Sequence, residues 1–434
     1  MSQAPWFHPV VVNVALALSV IVAAAGEASA DPGAPTAAGD ATNGAALSLS
    51  LKDAILRAEQ RAPDVVLAGH AVREAKAQRV SAGVVFPVNP RLSGDARPPI
   101  TGGTIADIGY SASLELFFDA GGAPGARVRE AERGAEVATA DLALERLRGR
   151  IAAWVAYLQV RVADARIEET RALVNIGERI LRASKQRGAA GASGDIEETL
   201  ATSDLGQLRV AIASAERQRE EHIAALRDLL DLPSAQALIL TTPLDEPPPA
   251  PTTDALIARA VQARPELAQI RARLAFLDAR YERLNRERFP RLGAYIGVDA
   301  APVSPIFGVI GLSVELPLFQ RNAGPRAVVQ AARNTEAERQ ELQARRILRE
   351  VVAIHAAYES RRTELKLIAT SVVPAAERTL ELVEQGWLAG RFDVFRVATA
   401  ARDVARVRAS RLDALEAAWL ARIALDRAAG GVTE

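Results

Sequence analysis

Hydrophobic and polar residues alternate along two segments, one in each half of the chain. In residues 105–118 the even positions are apolar, and the odd positions from 107 to 115 are polar or glycine. Residues 306–318 repeat the division, with apolar residues or glycine at the even positions. A period of two predicts β-strands with one apolar and one polar face. The shorter runs 92–97 and 292–300 predict one hairpin partner for each strand.

A Gly-rich break and then a helical pattern of about sixty residues follow each predicted strand. These patterns cover residues 125–186 and 324–384, and they resume over 195–230 and 393–428 after short breaks. A helix of sixty residues is about 90 Å long, and a short break predicts that the next helix folds back antiparallel to it. Pro374 predicts a kink in the second long helix.

The order of these patterns indicates an internal duplication of one structural unit. In both copies a Pro-acid pair opens a helix, and a Phe-Pro pair closes it before the strands. An apolar run at 10–25 before a small-x-small site predicts a cleaved export signal, with a single membrane anchor as the alternative. The predicted organisation is a signal peptide at 1–30, a flexible leader at 31–48, a first repeat at 49–231, a Pro-rich connector at 232–252 and a second repeat at 253–434.

Composition and charge exclude several classes of function. The chain has no cysteine, which excludes disulfides, thiolate catalysis and Cys-ligated zinc. Its formal net charge of zero gives no electrostatic basis for nucleic-acid binding. His70, His222 and His355 lack metal-ligand spacing, and the sequence shows no catalytic triad, phosphate loop or paired-acid motif. We therefore expect no enzyme activity, no resident metal and no cofactor.

The strand faces fit a transmembrane β-structure, because about ten alternating residues span the hydrocarbon core. An ordinary soluble hairpin with one buried face is the alternative. Two hairpins supply four strands, which cannot close a barrel, so the chain must oligomerise. Two copies would give eight strands, and three would give twelve with room for a lumen. The small polar residues on the predicted lumen face favour three copies, and that face contains Ser113, Glu115, Ser313 and Glu315. The two glutamates are interpreted either as solvated charges or as a ring that shapes cation preference.

Two further motifs complete the pattern. Asn322-Ala323-Gly324 follows the strand that ends in 315–319. A glycine shortly before an Asp-aliphatic pair occurs at both helical breaks, in 191–196 and 390–394. With these motifs in a duplicated architecture, the chain from about residue 49 to 430 resembles the TolC-type outer-membrane efflux factors. Residues 119–127 look like the Gly-Gly-x-x-G-x-R region of the heavy-metal-efflux branch.

The resemblance implies a mainly α-helical fold with a small transmembrane β part, assembled as a homotrimer. A twelve-stranded barrel would lie in the outer membrane of a Gram-negative bacterium, and a helical tunnel would cross the periplasm. The helical tips would dock a periplasmic adaptor protein that leads to an inner-membrane pump of RND or ABC type. The residues expected at the docking tip are Gly191, Ser193, Asp195, Trp387, Gly390 and Asp393.

The expected function is the outer-membrane duct of a tripartite efflux or type I secretion system, which passively exports drugs or metal ions. Many members of the resembled family carry a lipidated N-terminal cysteine, and this chain has none, so the barrel would be its anchor. The alternative function is a soluble periplasmic coiled-coil adaptor or scaffold. That alternative shares the long helical hairpins but needs no lipid-facing strands.

Overall fold

A computed structural model describes residues 46–84, 86, 88–98, 108–119, 121–189, 195–301 and 305–431. Six strands and nine α-helices lie in these ranges. The strands are β1 Leu47–Leu49, β2 Arg91–Arg97, β3 Gly109–Asp119, β4 Leu238–Leu240, β5 Arg291–Ala300 and β6 Phe307–Glu315. The helices are α1 Leu51–Arg61, α2 Pro63–Ala82, α3 Ala123–Ala189, α4 Asp195–Leu229, α5 Thr253–Ala263, α6 Pro265–Arg286, α7 Ala323–Leu367, α8 Val373–Leu388 and α9 Val394–Ala428.

The starts of the short helices follow from local sequence. Ser50 caps α1 in a capping box, in which its hydroxyl accepts from the Asp53 backbone while the Asp53 carboxylate accepts from the Ser50 backbone. Pro63 and Pro265 begin α2 and α6, where the missing N–H leaves no helical bond unmade. The acid after each proline, Asp64 or Glu266, lies at the positive end of the helix dipole.

The predicted strands are confirmed as one four-stranded antiparallel sheet with the order β2-β3-β5-β6. Arg91 lies opposite Glu115 in the first hairpin, and Arg291 lies opposite Glu315 in the second. The two registers therefore agree when Arg291 is aligned with Arg91 and Glu315 with Glu115, and we call this ungapped correspondence the repeat alignment.

Strand β6 is shorter than the sequence pattern predicts. It ends at Glu315, three residues before the predicted end at residue 318. Pro317 lacks a donor, and the Leu318 N–H turns back to the Leu316 carbonyl at 2.8 Å. The backbone beyond Glu315 therefore makes no ladder with β5 in the single chain.

The long antiparallel helices are also confirmed. Helix α3 runs for 67 residues and packs against α4, while α7 and α8 pack against α9. The predicted irregularity at Pro374 takes the form of a π turn at Ile368–Val372, between α7 and α8. Near the sheet, α2, α3, α6 and α7 pack side by side in the same order as the strands that they join. The helical wall therefore continues the sheet.

A pair of tyrosines ties the connecting segments to the helical wall. The Tyr157 hydroxyl donates to the Leu49 carbonyl at 3.1 Å, and the Thr242 N–H donates to the same hydroxyl at 2.9 Å. In the second half the Tyr358 hydroxyl donates to the Pro248 carbonyl. Burial raises the pKa of Tyr358 against the opposing effect of Arg422. These bonds hold the connector against both halves.

The helices of the described part of the chain differ from membrane-spanning helices in composition. None of them combines sufficient length with the apolar content needed to cross a bilayer.

Candidate functional sites in the sheet and the helical tip

The first candidate site is the sheet, whose two faces differ in chemistry. Cross-strand pairing places Leu92, Leu114, Ile296 and Ile310 in one row on the even-numbered face. This face is open in a single chain: Ile310 is 84% exposed and Leu312 is 81% exposed. Soluble proteins seldom leave such a continuous apolar surface uncovered. The even-numbered face therefore requires an apolar environment.

The opposite face is polar and is joined by hydrogen bonds across the strands. The Ser313 hydroxyl donates to Glu115 Oε1 at 2.6 Å, and the hydroxyls of Ser93 and Ser113 lie 2.8 Å apart. Gly293 makes the first contact possible, because a Cβ there would lie 2.1 Å from the Ser313 hydroxyl and 3.1 Å from the Glu115 carboxylate. Glu115 is therefore fixed in position across β5.

The two glutamates occupy equivalent register positions but have different surroundings. Glu115 is half-buried on an inner strand and accepts a hydrogen bond, whereas the Glu315 side chain is 64% exposed on an edge strand. The nearest cation to Glu315 is Arg291, at 3.8 Å. In the single chain, Glu115 is therefore held by a hydrogen bond, whereas Glu315 is exposed and has only the longer contact with Arg291.

The Gly-rich motif at 119–127 forms the turn from β3 into α3. The Asp119 carboxylate, whose side chain is only 8% exposed, pairs with Arg127 at 2.7 Å and with Arg291 at 3.3 Å. A Cβ on Gly121 would lie 2.5 Å from Phe289, and Gly122 has a φ of +73°. These contacts account for the motif by backbone geometry and ion pairing.

The second candidate site is the helical tip, where α3 meets α4 and α8 meets α9. The Asp393 carboxylate accepts a hydrogen bond from the Arg396 N–H at 3.0 Å and is the N-cap of α9. Asp195 lies in the first turn of α4. Gly191 and Ser193 lie outside the described residues.

Gly390 closes α8 in a Schellman motif. Its φ is +73°, its N–H donates to the Trp387 carbonyl at 2.9 Å, and the Arg391 N–H donates to the Gly386 carbonyl at 2.8 Å. The helix thus continues to Leu388, beyond the predicted end at residue 384. Gly386 lies inside the helix, where a side chain would not fit, because the Phe392 ring packs 2.4 Å from where its Cβ would be.

Trp387 is buried, which alters its expected role at the tip. Only 1% of the residue is exposed, and it packs with the apolar residues that join the two helical hairpins. Arg187 lies over the indole ring at 5.7 Å and donates to the Trp387 carbonyl at 3.3 Å. A buried ring cannot present its surface to another protein, so in this conformation Trp387 supports the tip from within.

A cavity of about 280 Å³ adjoins this packing between α3, α4 and α9. Leu173, Ile180 and Val394 form part of its apolar wall, and Asp204 and Arg402 lie at its edge, paired at 2.5 Å. The sequence analysis missed this cavity. It arises from side chains of three helices that are far apart in the chain, so no local pattern marks it.

Metal-ligating side chains are dispersed. No cluster of three or more His, Cys, Asp or Glu residues suited to a metal ion occurs in the described ranges. His70 accepts from Arg73 at 2.6 Å, and His355 Nδ1 lies 3.3 Å from the Thr253 hydroxyl. The His70 contact lies within one helix, and the His355 contact joins two helices.

The sheet with one apolar face and the long antiparallel helical hairpins match a known family. The sequence profile described as "Outer membrane efflux protein" matches residues 54–231 and again residues 256–431. The chain belongs to the outer membrane efflux protein family. This result confirms the resemblance inferred from the repeated strands and tip motifs.

Individual relatives agree with the family assignment. The chain is 27% identical over 328 residues to the cobalt-zinc-cadmium resistance protein CzcC of Cupriavidus metallidurans, a match that covers 74% of this chain and 77% of that protein. The crystal structure of CusC superposes with a TM-score of 0.72 at 18% identity, over 88% of this chain and 92% of that one. The outer membrane protein VceC of Vibrio cholerae gives a TM-score of 0.70 at 17% identity, over 88% and 97%.

Family membership decides between the two functional hypotheses. This outer membrane efflux protein is an outer-membrane duct that extends into the periplasm, and it is not a soluble adaptor or scaffold. The family consists of efflux ducts rather than enzymes. The apolar sheet face and the helical wall are the two parts of the chain that such a duct requires.

Proposed function

We propose that three copies of this chain form a closed passive duct for metal ions across the outer membrane and the periplasm. The observation that carries the proposal is the four-stranded sheet, which has an apolar and a polar face and continues into four helices in the same order. Three such sheets supply twelve strands. A closed barrel of that size pairs every edge and leaves a water-filled lumen.

The polar face gives the lumen its proposed chemistry. Hydroxyls, glycines and the fixed Glu115 carboxylate line this face, while isoleucine and leucine cover the opposite one. Charged and hydroxyl groups on the inside keep an aqueous path open, and apolar groups outside satisfy the lipid. Side chains on the two faces alternate strictly, so both requirements are met by the same strands.

The tip is the proposed docking end for a periplasmic adaptor, which links the duct to an inner-membrane pump. Gly390 and Asp393 support this assignment because they fix a short turn at the end of the hairpin and are both exposed in the single chain. The buried Trp387 and Arg187 keep this turn in shape from inside. The energy for export would come from the pump, and the duct itself would catalyse no reaction.

The proposed cargo class is divalent transition-metal ions. The similarity to CzcC, a cobalt-zinc-cadmium resistance protein, supports this choice. The ions would pass through the duct as substrate, so the duct needs weak contacts and no strong chelating cluster. The pump, rather than the duct, would then select the ion.

Two measurements test the proposal. Native mass spectrometry of protein extracted from outer membranes should give the mass of three chains, and a monomer would contradict the closed duct. Deletion of the gene should raise intracellular zinc, cobalt or cadmium under metal stress and leave the accumulation of an uncharged dye unchanged. Accumulation of the dye without the metals would show that the cargo assignment is wrong and would leave the duct intact.

A further inference from the structure

A polar cavity of about 230 Å³ lies in the second half of the chain, where the start of α6, the middle of α7 and the end of α9 meet. It belongs to neither the sheet nor the helical tip. Charged and amide side chains line it, namely Arg264, Glu266, Gln343, Arg346, Glu350 and Arg427. The cavity is far larger than a single water requires, so it has room for a small polar molecule.

One wall of this cavity is held rigidly by ion pairs within the chain. Arg264 is only 4% exposed, its Nε donates to the Ala428 carbonyl at 2.7 Å, and its guanidinium donates to Glu350 Oε2 at 2.8 Å. Arg427 lies 3.7 Å from the other carboxylate oxygen of Glu350. Two arginines therefore share Glu350, and its charge is already balanced.

Two opposite charges in the lining are left over. The Oε2 atom of Glu266 is buried and has no hydrogen-bond partner among the described residues. The guanidinium of Arg346 forms no hydrogen bond or ion pair with any described residue. A buried polar atom without a partner is costly, and an unplaced water, ion or ligand is the usual explanation. The cavity therefore offers one free acceptor and one free cationic donor.

The first half of the chain has no such arrangement at the corresponding place. Pro63 and Pro265 begin equivalent helices, so Ala62 corresponds to Arg264, and Ala62 is buried in an apolar cluster. The repeat alignment also matches Glu350 with Arg150. The charged wall is thus a departure from the duplicated pattern, and the helix geometry that both halves share does not require it.

The charges of the lining decide which class of ligand fits. A simple anion would meet the unpartnered carboxylate oxygen of Glu266, and a simple cation would meet three arginines. A metal ion is unsuited for the same reason, because Glu350 is already occupied by Arg264 and Arg427. A molecule that carries both charges would satisfy both free groups at once.

We propose that this cavity binds a small zwitterion of the amino-acid class. Its carboxylate pairs with Arg346, and its ammonium group donates to Glu266 Oε2. The Gln343 amide can donate to the first group or accept from the second. This binding site goes beyond the duct function proposed above, and one chain supplies all of its residues.

Isothermal titration calorimetry of the full-length protein in detergent tests the ligand class. The probes are glycine, β-alanine and 4-aminobutanoate, which differ in the spacing of their charges, together with acetate and methylammonium, which carry one charge each. We expect one of the three amino acids to bind about tenfold or more tightly than acetate and methylammonium, because a probe with one charge leaves Glu266 or Arg346 unpaired.

The other outcomes contradict the proposal in distinct ways. Acetate that binds as tightly as the best amino acid would show a site for anions only, and methylammonium that does so would show a site for cations only. If no probe binds, the cavity holds only water. None of these results would affect the proposed duct, which depends on the mass of the assembly and on metal accumulation.

Variants locate the site within the chain. Arg346→Gln and Glu266→Gln should each weaken binding of the best probe by about tenfold, because each removes one charge-assisted hydrogen bond. Arg346→Lys keeps the charge and should retain more of the affinity than Arg346→Gln. The matched control is Arg345→Gln, since the neighbouring Arg345 lies near Glu338 at 3.8 Å and does not line the cavity.

Circular dichroism of each variant confirms that the helices are intact. Glu341→Gln is the control for the glutamate, because Glu341 is exposed on α7 and lies outside the lining. Both control variants should bind the probe as the unchanged protein does. Undiminished binding in Arg346→Gln and Glu266→Gln would place the ligand elsewhere and overturn the proposal.

Discussion

The first long helix and its counterpart in the second half differ at one point. Helix α3 is continuous for 67 residues, whereas α7 and α8 are separated by a π turn at Ile368–Val372. A side-chain hydrogen bond next to this point is nevertheless the same in the two halves. Thr170 and Thr370 are equivalent under the repeat alignment, and both donate their hydroxyl to the carbonyl four residues earlier, at 2.7 and 2.8 Å.

Pro374 explains the difference. A proline in a helix has no N–H for the carbonyl four residues earlier, which here belongs to Thr370, and its ring crowds that carbonyl. Widening the helix by one residue relieves the crowding. Val174 is the equivalent of Pro374 in the first half, and it keeps its N–H, so α3 continues as a regular helix. One residue therefore decides whether the long helix is continuous.

The largest effect is expected from transferring the proline to the first half. Val174→Pro should lower the free energy of unfolding by about 3 kcal/mol or more, because α3 has no π turn to receive it. The reciprocal change, Pro374→Ala, should alter the free energy of unfolding by less than about 1 kcal/mol, because the π turn already accommodates residue 374. Urea unfolding followed by circular dichroism measures both. Equal losses would show that the π turn does not accommodate the proline.

A smaller effect is expected at the turn from β3 into α3. Asp119→Ala would leave Arg127 and Arg291 without their shared carboxylate and should cost about 2 kcal/mol. Phe319 holds the same position in the second half, without an ion pair there, so Phe319→Ala should leave the unfolding of the single chain nearly unchanged. Thermal unfolding in detergent compares the midpoints of the Asp119→Ala and Phe319→Ala variants. Equal midpoints would contradict the assigned role of Asp119.

The tip turn can be examined through Gly390. Gly390→Val should cost about 1 to 2 kcal/mol locally and weaken crosslinking to the adaptor, because a branched residue strains a φ of +73°. Gly206→Ala is the matched control, since its surroundings are equally open and it lies inside α4. The mass of the proposed trimer should remain unchanged in both variants. Full adaptor crosslinking in Gly390→Val would show that this turn is not the docking site.

Replacing Asp393 at the tip should destabilise its helix more than replacing Asp195. Asp393→Ala removes an N-cap bond and should destabilise α9 by about 1 kcal/mol. Asp195→Ala removes only a first-turn charge and should cost about 0.5 kcal/mol in α4. Hydrogen exchange of the first-turn amides measures each helix separately. A larger effect at Asp195 would mean that it, too, acts as a cap.

The smallest effect is expected for the two sheet glutamates. Glu115→Gln should reduce cation preference in single-channel recordings by a few tenths of a kcal/mol, because its carboxylate is fixed by Ser313. Glu315→Gln should reduce it less, because that carboxylate is exposed and lies near Arg291. Unchanged selectivity in the double variant would remove both residues from any role in ion preference.

Much of the candidate site could be predicted from short stretches of sequence. The features that could not be predicted all depend on residues that are distant in the chain. The N-cap role of Asp393 follows from its position before a helical pattern, and the strand faces follow from a period of two. The burial of Trp387 could not be predicted, because it depends on residues such as Leu173 and Val397 from other helices. The unequal surroundings of Glu115 and Glu315 depend on which strand lies at the edge.

The sequence by itself determined the duplicated order of helices and strands, the two chemical faces of the sheet and the positions of most helix ends. These features depend on backbone geometry and on contacts between near neighbours in the chain. Only the tertiary structure decided how the two hairpins join, since the pairing of β3 with β5 brings together residues from opposite halves of the chain. It also decided that Trp387 lies inside the tip, because its burial depends on how distant helices pack.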